Sequence, residues 1–230
     1  MRTLPSLLLF ARVPEPGRVK TRLASVLSAR GAADLYRAFL EDASRVYGGR
    51  AGWQSVLCAD PGPDDPLLAC LFPEPWRRVA QAAGDLGQRL HGAFEDEFRG
   101  GAPAAVAVGA DHPALPRGRL AEVFASVAAG GAAVIPAEDG GYCAIGLSAA
   151  APIAEVFREI PWSTPAVLAV TLRRMSEAGL PCRVLEPAYD VDLPEDLERL
   201  RRDLAGRDPS GEDFPSATAG ALATLARGGA

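Results

Sequence analysis

The amino-acid sequence predicts an α/β protein in which helices pack on a mostly parallel sheet. Short apolar runs alternate with longer segments whose apolar residues recur at helical spacing, and this alternation continues over about 200 residues. Apolar residues make up 48% of the 230-residue chain, which is enough to bury a sizeable core. No internal repeat is visible, so the pattern favours a single α/β domain over a repeat array.

Seven segments are predicted to be strands because they are short, apolar and bounded by turn-forming residues. Their ranges are 6–11, 54–59, 77–81, 104–109, 132–136, 141–147 and 182–185. The fourth of them, AAVAVG, has the small and branched residues that are typical of a strand buried on both faces. Pro14 follows the first strand, and the Pro61-Gly62-Pro63 segment ends the second.

Six segments are predicted to be helical from their apolar periodicity. Their ranges are 21–47 with an interruption near Gly31, 85–98, 117–129, 153–157, 165–178 and 194–204. Residues 1–205 are therefore assigned to one domain. Residues 206–230 are rich in Gly, Ala, Ser, Pro and Asp, so we expect a loosely ordered tail with at most one short helix near 219–227.

Charge and composition exclude several classes of protein. The formal net charge of −5 argues against a nucleic-acid partner, which usually requires a basic face. No apolar run approaches 18 residues, and the amino-terminal run is too short for a signal peptide, so we expect a cytoplasmic protein without a membrane partner. The four cysteines lack C-x-x-C spacing and the chain has two histidines, which does not fit a zinc site.

The segment after the first predicted strand is expected to bind phosphate. Ligands of parallel sheets bind at the carboxyl ends of strands, and four cations follow this strand within eleven residues: Arg12, Arg18, Lys20 and Arg22. Lys20 is the only lysine in the chain. Gly17 lets the backbone approach a ligand, and Lys20, Thr21 and Arg22 fall where free N–H groups at a helix start favour an anion. The alternative is a solvated basic loop.

The amino-acid sequence excludes two common catalytic motifs. The spacing of Gly17, Lys20 and Thr21 is similar to the end of a P-loop, but Val19 stands where that motif requires glycine. The chain also has no Gly-x-Ser-x-Gly sequence, so a serine hydrolase of that type is excluded.

Two segments place carboxylates where a divalent metal could bind. Asp111 follows the fourth predicted strand, although a turn or a helix cap would also explain it. Asp190 and Asp192 share one face if their segment is extended, while Asp192 and Glu195 could instead form a capping box. Mg²⁺ that bridges phosphates is commonly held by one or two carboxylates, so these three aspartates are the candidate metal ligands.

Three further segments could line a substrate. In PAEDGGY, residues 136–142, the simplest interpretation is a tight turn, but the glycines could also open space in which Asp139 accepts hydroxyl groups beside Tyr142. Asp85 and Arg89 lie at the start of a predicted helix, where Asp85 is either a cap or a contact to ribose, base or phosphate. Trp162 is expected in the core rather than against a ligand.

Six segments taken together resemble a known bacterial family. They are FARVPEPGRVKTRLA, GDLGQRL, VGADHPAL, PAEDGGYCAIGL, IPWSTPAVLAVTL and DVDLPEDLERL, in this order, and they span about residues 5–205. The family is filed as a domain of unknown function and is often labelled a glycosyltransferase of arsenosugar biosynthesis. Its members are placed in the nucleotide-diphospho-sugar transferase (GT-A-like) superfamily, which implies a three-layer sandwich around a mixed, mostly parallel sheet of Rossmann-like type.

The resemblance also implies roles for individual residues. In the related 2-phospholactate guanylyltransferases a similar K-T-R-L string implies that Lys20 and Arg22 hold the donor's phosphates. Asp111 resembles the superfamily's metal-binding carboxylate. Asp190 and Asp192 resemble the second acidic segment that lies beside the metal in that superfamily. Asp139, Gly140 and Gly141 fall where an acceptor or sugar site is expected. The chain departs from the family at Gly109–Pro113, since members often have serine and cysteine on either side of the aspartate.

These features predict a transferase that uses a nucleotide donor, a small-molecule acceptor and Mg²⁺ or Mn²⁺, with Lys20 and Asp111 as catalytic residues. Glycosyl transfer from a nucleotide-sugar is the first hypothesis. Nucleotidyl transfer, as in molybdenum-cofactor guanylyltransferases, is the second. A nucleotide-binding module without turnover is the third, because a fold alone does not establish activity.

Overall fold

The computed structural model describes residues 4–48 and 52–228, in which seven strands form one sheet with helices on both faces. The strands are β1 (Ser6–Arg12), β2 (Gln54–Asp60), β3 (Arg77–Ala80), β4 (Ala104–Gly109), β5 (Ala132–Pro136), β6 (Tyr142–Ser148) and β7 (Cys182–Val184). The helices are α1 (Ala29–Tyr47), α2 (Pro66–Leu71), α3 (Leu86–Arg99), α4 (Arg117–Val127), α5 (Ile153–Val156), α6 (Val167–Glu177), α7 (Pro194–Ala205) and α8 (Ser216–Gly228). A single 3-10 turn, Thr21–Ser25, precedes α1.

The sheet is mixed and mostly parallel, as the sequence predicted. Its strand order is β3-β2-β1-β4-β6-β5-β7. Every neighbouring pair is parallel except the two pairs that include β6, which runs antiparallel to β4 and to β5. The start of β6 therefore lies at the same edge as the carboxyl ends of the other strands, and this edge is where ligands of open α/β sheets bind.

Two hydrophobic clusters lie on opposite faces of the sheet, which confirms the three-layer architecture. On β1 the alternation is visible directly, because Leu7 and Leu9 belong to one cluster and Leu8 to the other. Helices α1, α2, α4, α7 and α8 contribute buried side chains to the first cluster, and α3, α5 and α6 contribute to the second.

The helical segment predicted at 21–47 is interrupted earlier than Gly31. The 3-10 turn ends at Ser25, and α1 begins after Ser28, whose hydroxyl accepts a hydrogen bond from the backbone N–H of Gly31 at 3.0 Å. A serine side chain is a favourable helix N-cap, so Ser28 sets the break and Gly31 lies inside the first turn. The short helix α2 was not predicted, although Asp65 caps it and Pro66 opens it.

The tail contains a helix where one was expected, near 219–227, and this helix is packed against the domain. Helix α8 packs against α1, and Leu222 in it is 4% exposed. The carboxylate of the buried residue Asp42 on α1 accepts hydrogen bonds from the backbone N–H groups of Ala217 (3.1 Å) and Thr218 (2.8 Å). These contacts cap the first turn of α8 and attach it to the domain. Within residues 4–48 and 52–228, no helix is long and apolar enough to span a membrane.

Candidate active site at the carboxyl edge of the sheet

Lys20 is buried at the end of the loop that follows β1. Its backbone has a left-handed conformation, with φ of 47°, at the start of the 3-10 turn. Its side chain is 2% exposed, and the Nζ atom lies 5.8 Å from the ring centroids of both Tyr36 and Phe39. Non-glycine residues adopt this backbone conformation infrequently, so its presence here marks a constrained position.

The ammonium group of Lys20 bridges two of the predicted metal-binding carboxylates. Its Nζ donates to Oδ1 of Asp192 at 2.7 Å and also forms an ion pair with Oδ1 of Asp111. The two carboxylate side chains are 46% (Asp111) and 40% (Asp192) exposed, so the lysine is enclosed while its partners face solvent. Asp111 and Asp192, which Lys20 bridges, are called the bridged carboxylate pair below.

Backbone contacts bring the two carboxylates together. The N–H of Val191 donates to the carbonyl oxygen of Asp111 at 3.0 Å, and Nδ1 of His112 donates to the carbonyl oxygen of Tyr189 at 3.2 Å. Val191 is fully buried between the two aspartates of its segment, Asp190 and Asp192. The segment after β7 is therefore fastened beside the end of β4.

The capping box that the sequence suggested for Asp192 and Glu195 is not formed at the start of α7. The carboxylate of Asp196, in the first turn of the helix, instead accepts from the backbone N–H groups of Asp192 (3.0 Å) and Leu193 (2.7 Å). The carboxylate of Asp192 pairs with Lys20.

The charge of Lys20 and the charges of the bridged carboxylate pair stabilise one another. Burial lowers the pKa of Lys20, but the carboxylates of Asp111 and Asp192 outweigh it, and the net pKa lies above the ordinary value. Burial raises the pKa of Asp111, but the Lys20 ammonium outweighs it and the net pKa is lowered. Burial, followed by the charge of Asp192, raises the pKa of the Asp190 carboxyl. At neutral pH, Lys20 and Asp111 are both charged.

The carboxylates at this site suit a metal ion whose remaining coordination positions are filled by the substrate and water. Among the residues that the structure describes, no three Asp, Glu, His or Cys side chains converge closely enough to form a protein-only metal cage. Asp111 and Asp192 converge as a pair, and each has an oxygen that Lys20 does not use. Mg²⁺ typically takes one or two carboxylates together with phosphate oxygens and water, so two aspartates suffice for it.

The cations next to Lys20 are exposed. Arg12 is 64% exposed and its Nε lies 3.5 Å from Asp60, while Arg18 is 71% exposed and pairs with Glu15 at 2.8 Å. Thr21 and Arg22 are also exposed, and Gly17 has a φ of 79° with open space around it. A cleft of 210 Å³ lies on this side of the sheet edge, and its lining residues are Arg12, Val13, Glu15, Arg18, Val19, Asp60 and Pro61.

Asp60 is a site residue that the sequence analysis missed. Its Oδ2 accepts from Nη1 of Arg89 at 3.0 Å, and the same Nη1 lies 2.9 Å from Oε1 of Gln81. Asp60 therefore joins Arg12, the last residue of β1, to Arg89 on α3. The signal was present, since Asp60 is a carboxylate at the end of a predicted strand and is followed by proline, as is found near Asp111.

Asp85 is the N-cap of α3. Its carboxylate accepts from the N–H of Gln88, and the Gln88 side chain accepts from the N–H of Asp85, both at 2.9 Å. This reciprocal capping box accounts for Asp85, which the sequence analysis also considered as a ligand contact. Gly87 in the same turn packs against Trp162, because a Cβ there would lie 2.7 Å from the indole nitrogen.

The glycine turn between β5 and β6 is a packed turn at the same sheet edge. The Asp139 carboxylate accepts from the N–H of Gly141 at 2.9 Å. Gly140 has a φ of 91°, and a Cβ on it would lie 2.3 Å from the carbonyl oxygen of Pro165. The ring of Tyr142 meets that of Trp162 edge-on at 6.4 Å, in the cluster on the α3 side. Burial and the charge of Asp192 raise the pKa of the Asp190 carboxyl, and the charge of Asp139 adds a smaller increase.

Several solved structures have a similar fold. A proposed nucleotide-diphospho-sugar transferase from Desulfovibrio desulfuricans G20 is 29% identical, with 98% of each chain covered and a TM-score of 0.86. A 4-diphosphocytidyl-2C-methyl-D-erythritol synthase is 13% identical, with 89% of this chain and 99% of that chain covered and a TM-score of 0.56. A cytidylyltransferase from Leptospira borgpetersenii is 11% identical, with 98% and 95% covered and a TM-score of 0.56. No curated protein matches this chain.

The sheet, its two helical layers and the residues at its carboxyl edge define an α/β protein with the nucleotide-diphospho-sugar transferase fold. Within that class, the chain belongs to the family described as "Uncharacterized protein conserved in bacteria (DUF2064)", whose profile matches residues 44–164. That match begins after the loop that contains Lys20 and ends before Asp190, so it covers one member of the bridged carboxylate pair, Asp111.

Proposed function

We propose that this protein is a metal-dependent transferase that uses a nucleotide donor. The observation that carries the proposal is the bridged carboxylate pair, in which Asp111 and Asp192 converge at the sheet edge with exposed oxygens. A carboxylate pair beside exposed arginines suits a phosphate chain that carries a divalent metal. The similar fold of nucleotide-dependent enzymes supports the same class.

Donor phosphates would bind between the arginines and the carboxylates. Arg12, Arg18 and Arg22 are exposed on one side, and guanidinium groups form charge-assisted bonds with phosphate oxygens. Asp111 and Asp192 would hold Mg²⁺ or Mn²⁺ on the other side. The metal, when bound, would neutralise charge that develops on the leaving phosphate group. Lys20 acts through the carboxylates in this arrangement, because its own ammonium is enclosed.

The acceptor would bind toward β5 and β6. Asp139 lies at the exposed turn there, and a carboxylate oxygen accepts hydrogen bonds from hydroxyl groups. Gly140 packs against Pro165, Gly141 donates its N–H to Asp139, and Tyr142 begins the next strand, so in this proposal the acceptor contacts the exposed side of the turn. This assignment makes Asp139 the acceptor-binding residue and Asp111 the residue nearest the reacting phosphate.

Glycosyl transfer from a nucleotide-sugar to a small molecule is the reaction that we put first. It breaks the bond between the sugar and the donor phosphate and releases a nucleoside diphosphate. The description of the Desulfovibrio protein as a proposed nucleotide-diphospho-sugar transferase, and its coverage of 98% of this chain, support this form. The specific label of arsenosugar biosynthesis stays a prediction of the sequence resemblance.

Nucleotidyl transfer is the second candidate. It joins a phosphorylated acceptor to a nucleoside triphosphate and releases pyrophosphate. Two observations favour it: the K-T-R-L string, and the fold shared with a 4-diphosphocytidyl-2C-methyl-D-erythritol synthase and a cytidylyltransferase. A binding module without turnover is the third candidate.

A thermal-shift panel of nucleoside triphosphates and nucleotide-sugars, each with and without Mg²⁺, tests the proposal. A ligand at 100 times its Kd adds about 2.7 kcal/mol to the free energy of unfolding, which is a readily measured shift. With a stabilising nucleotide identified, the released product separates the reactions: nucleoside diphosphate for glycosyl transfer, pyrophosphate for nucleotidyl transfer, and neither for a binding module. The absence of a shift with every nucleotide would contradict the proposal.

A further inference from the structure

The ammonium of Lys20 lies between the carboxylates of Asp111 and Asp192, where a divalent metal ion would also bind. It contacts Oδ1 of Asp111 and Oδ1 of Asp192, so one oxygen of each carboxylate is already engaged by a positive charge. Any divalent ion held by the same pair would sit next to this ammonium. The pair with Lys20 carries a net charge of −1, whereas the two carboxylates alone would carry −2.

Lys20 is held in this place by its surroundings. The adjoining residues Val19 (6% exposed) and Leu23 (fully buried) belong to the core, and the carbonyl oxygen of Lys20 accepts from the N–H of Leu23 at 2.9 Å. The rings of Tyr36 and Phe39 flank the ammonium. The carboxylates, by contrast, are open to solvent on their other side. Lys20 is therefore the fixed member of the cluster, and a metal ion would reach the two carboxylates from their solvent-exposed side.

We infer that Lys20 is a resident cation that makes binding of a divalent metal at Asp111 and Asp192 depend on the donor's phosphates. A metal ion that binds alone changes the net charge of Lys20, Asp111 and Asp192 from −1 to +1. It also lies beside the fixed ammonium of Lys20, and repulsion between these two positive charges opposes its binding. A metal that enters with a phosphate chain brings its own negative charge, so the opposition disappears. This inference rests on the proposed function and specifies the order in which its ligands can bind.

The inference differs from a role of Lys20 as a direct ligand of phosphate. A direct ligand would have to expose its ammonium, and its removal would leave the affinity for metal alone unchanged. A resident cation stays between the carboxylates, and its removal strengthens the binding of metal alone. The two roles therefore predict different metal affinities for a Lys20 variant in a measurement without nucleotide.

The experiment is a titration with Mn²⁺ alone, in which electron paramagnetic resonance measures the free ion. The proteins are the unmodified chain, Lys20→Gln, and the control Arg30→Gln, which removes the same charge from an exposed side chain on α1 that has no part in the proposed site. We expect Lys20→Gln to bind Mn²⁺ at least about tenfold more tightly than the unmodified chain, and Arg30→Gln to match the unmodified chain. A Lys20→Gln affinity equal to or weaker than the unmodified one would overturn the inference.

Two further measurements keep the test decisive. If Lys20→Gln does not fold, as judged by its urea transition, Lys20→Met is used under the same criteria. In the unmodified chain, the relaxation rate of water protons should be enhanced by Mn²⁺ with tripolyphosphate and not by Mn²⁺ alone at the same concentration. Equal enhancement in both conditions would also overturn the inference. The proposed function is tested separately in the thermal-shift panel. It fails if no nucleotide in that panel stabilises the unmodified chain.

Discussion

The Nζ atom of Lys20 lies 2.7 Å from Oδ1 of Asp192, although 172 positions separate the two residues in the chain. The contact joins the loop after the first strand to the segment before α7, and Asp111 at the end of β4 shares it. Three separate parts of the chain thus meet at one point of the sheet edge. The consequences for stability and for turnover can be measured independently.

Removal of both carboxylates should destabilise the protein by more than the sum of the single changes. In Asp111→Asn or Asp192→Asn alone, Lys20 keeps one ionic partner, and we expect a loss of about 1 kcal/mol in the free energy of unfolding. In the double variant the buried ammonium has neither partner, and an uncompensated buried charge costs about 3–5 kcal/mol. Urea denaturation of the three variants measures this. Strict additivity would contradict the view that Lys20 is buried with two alternative partners.

Turnover should depend on Asp111 while the fold does not. Once the nucleotide and acceptor are identified, we expect Asp111→Asn to lower kcat by about 10²-fold or more, because a lost electrostatic contact at the reacting centre has that size of effect. Asp34→Asn is the matched control, since Asp34 is an exposed carboxylate that pairs with Arg30 on α1. Initial rates, with urea transitions to confirm folding, decide the matter. An Asp111→Asn rate equal to that of Asp34→Asn would contradict the assignment of Asp111 to the active site.

Two glycines of the candidate site should respond differently to a Cβ. Gly140 has a φ of 91° and no room beside Pro165, so Gly140→Ala combines backbone strain with overpacking, and together these cost about 3 kcal/mol. Gly17 has a φ of 79° with open space around it, so Gly17→Ala should cost about 1–2 kcal/mol from strain alone. Urea denaturation compares them. Equal losses would show that the contact with Pro165 does not limit the turn.

The cap that Asp42 provides should determine the order of the tail. Asp42→Ala removes the acceptor of two N–H groups at the start of α8, which should cost about 1–2 kcal/mol and speed hydrogen exchange throughout 216–228. Asp65→Ala is the control, because Asp65 caps α2 in the same way, through the N–H groups of Leu67 and Leu68. Exchange in α8 should be unchanged in that control. Unchanged exchange in Asp42→Ala would mean that apolar packing alone holds the helix.

The strands could be predicted from the sequence because their signal is local. The predicted range of β4 and that of β5 agree with the structure at both ends, and the other strands agree within one residue, since apolar runs and turn residues lie side by side in the chain. The order of the tail could not be predicted in the same way. Its composition suggested a loose segment, and the residue that fixes it, Asp42, lies 175 positions before Ala217.

The sequence placed several candidate residues at the right edge of the sheet, but it did not give their contacts, and their roles stay predictions. The rule that polar residues after strands meet at one edge identified Asp111, Asp192 and Lys20 correctly as neighbours of that edge. The same rule applied to β2 would have found Asp60. The burial of Lys20 could not be read from the sequence, because a lysine in a basic loop has the local pattern of an exposed cation. Its enclosure depends on Tyr36 and Phe39, which lie on one face of α1 and outside the loop.

Thiol chemistry offers a prediction that is independent of any ligand. Burial raises the pKa of Cys58 and of Cys143 to about 12, and that of Cys182 to about 11, so at pH 8 these thiols are almost fully protonated in the folded protein. Cys70 is exposed and is expected to react first with a disulfide reagent. Because the thiolate is the reactive form, we expect one rapid equivalent from the native protein and four after denaturation in urea. Cys70→Ser should abolish the rapid equivalent, and a rapid equivalent that survives in this variant would show that a second thiol is accessible in the fold.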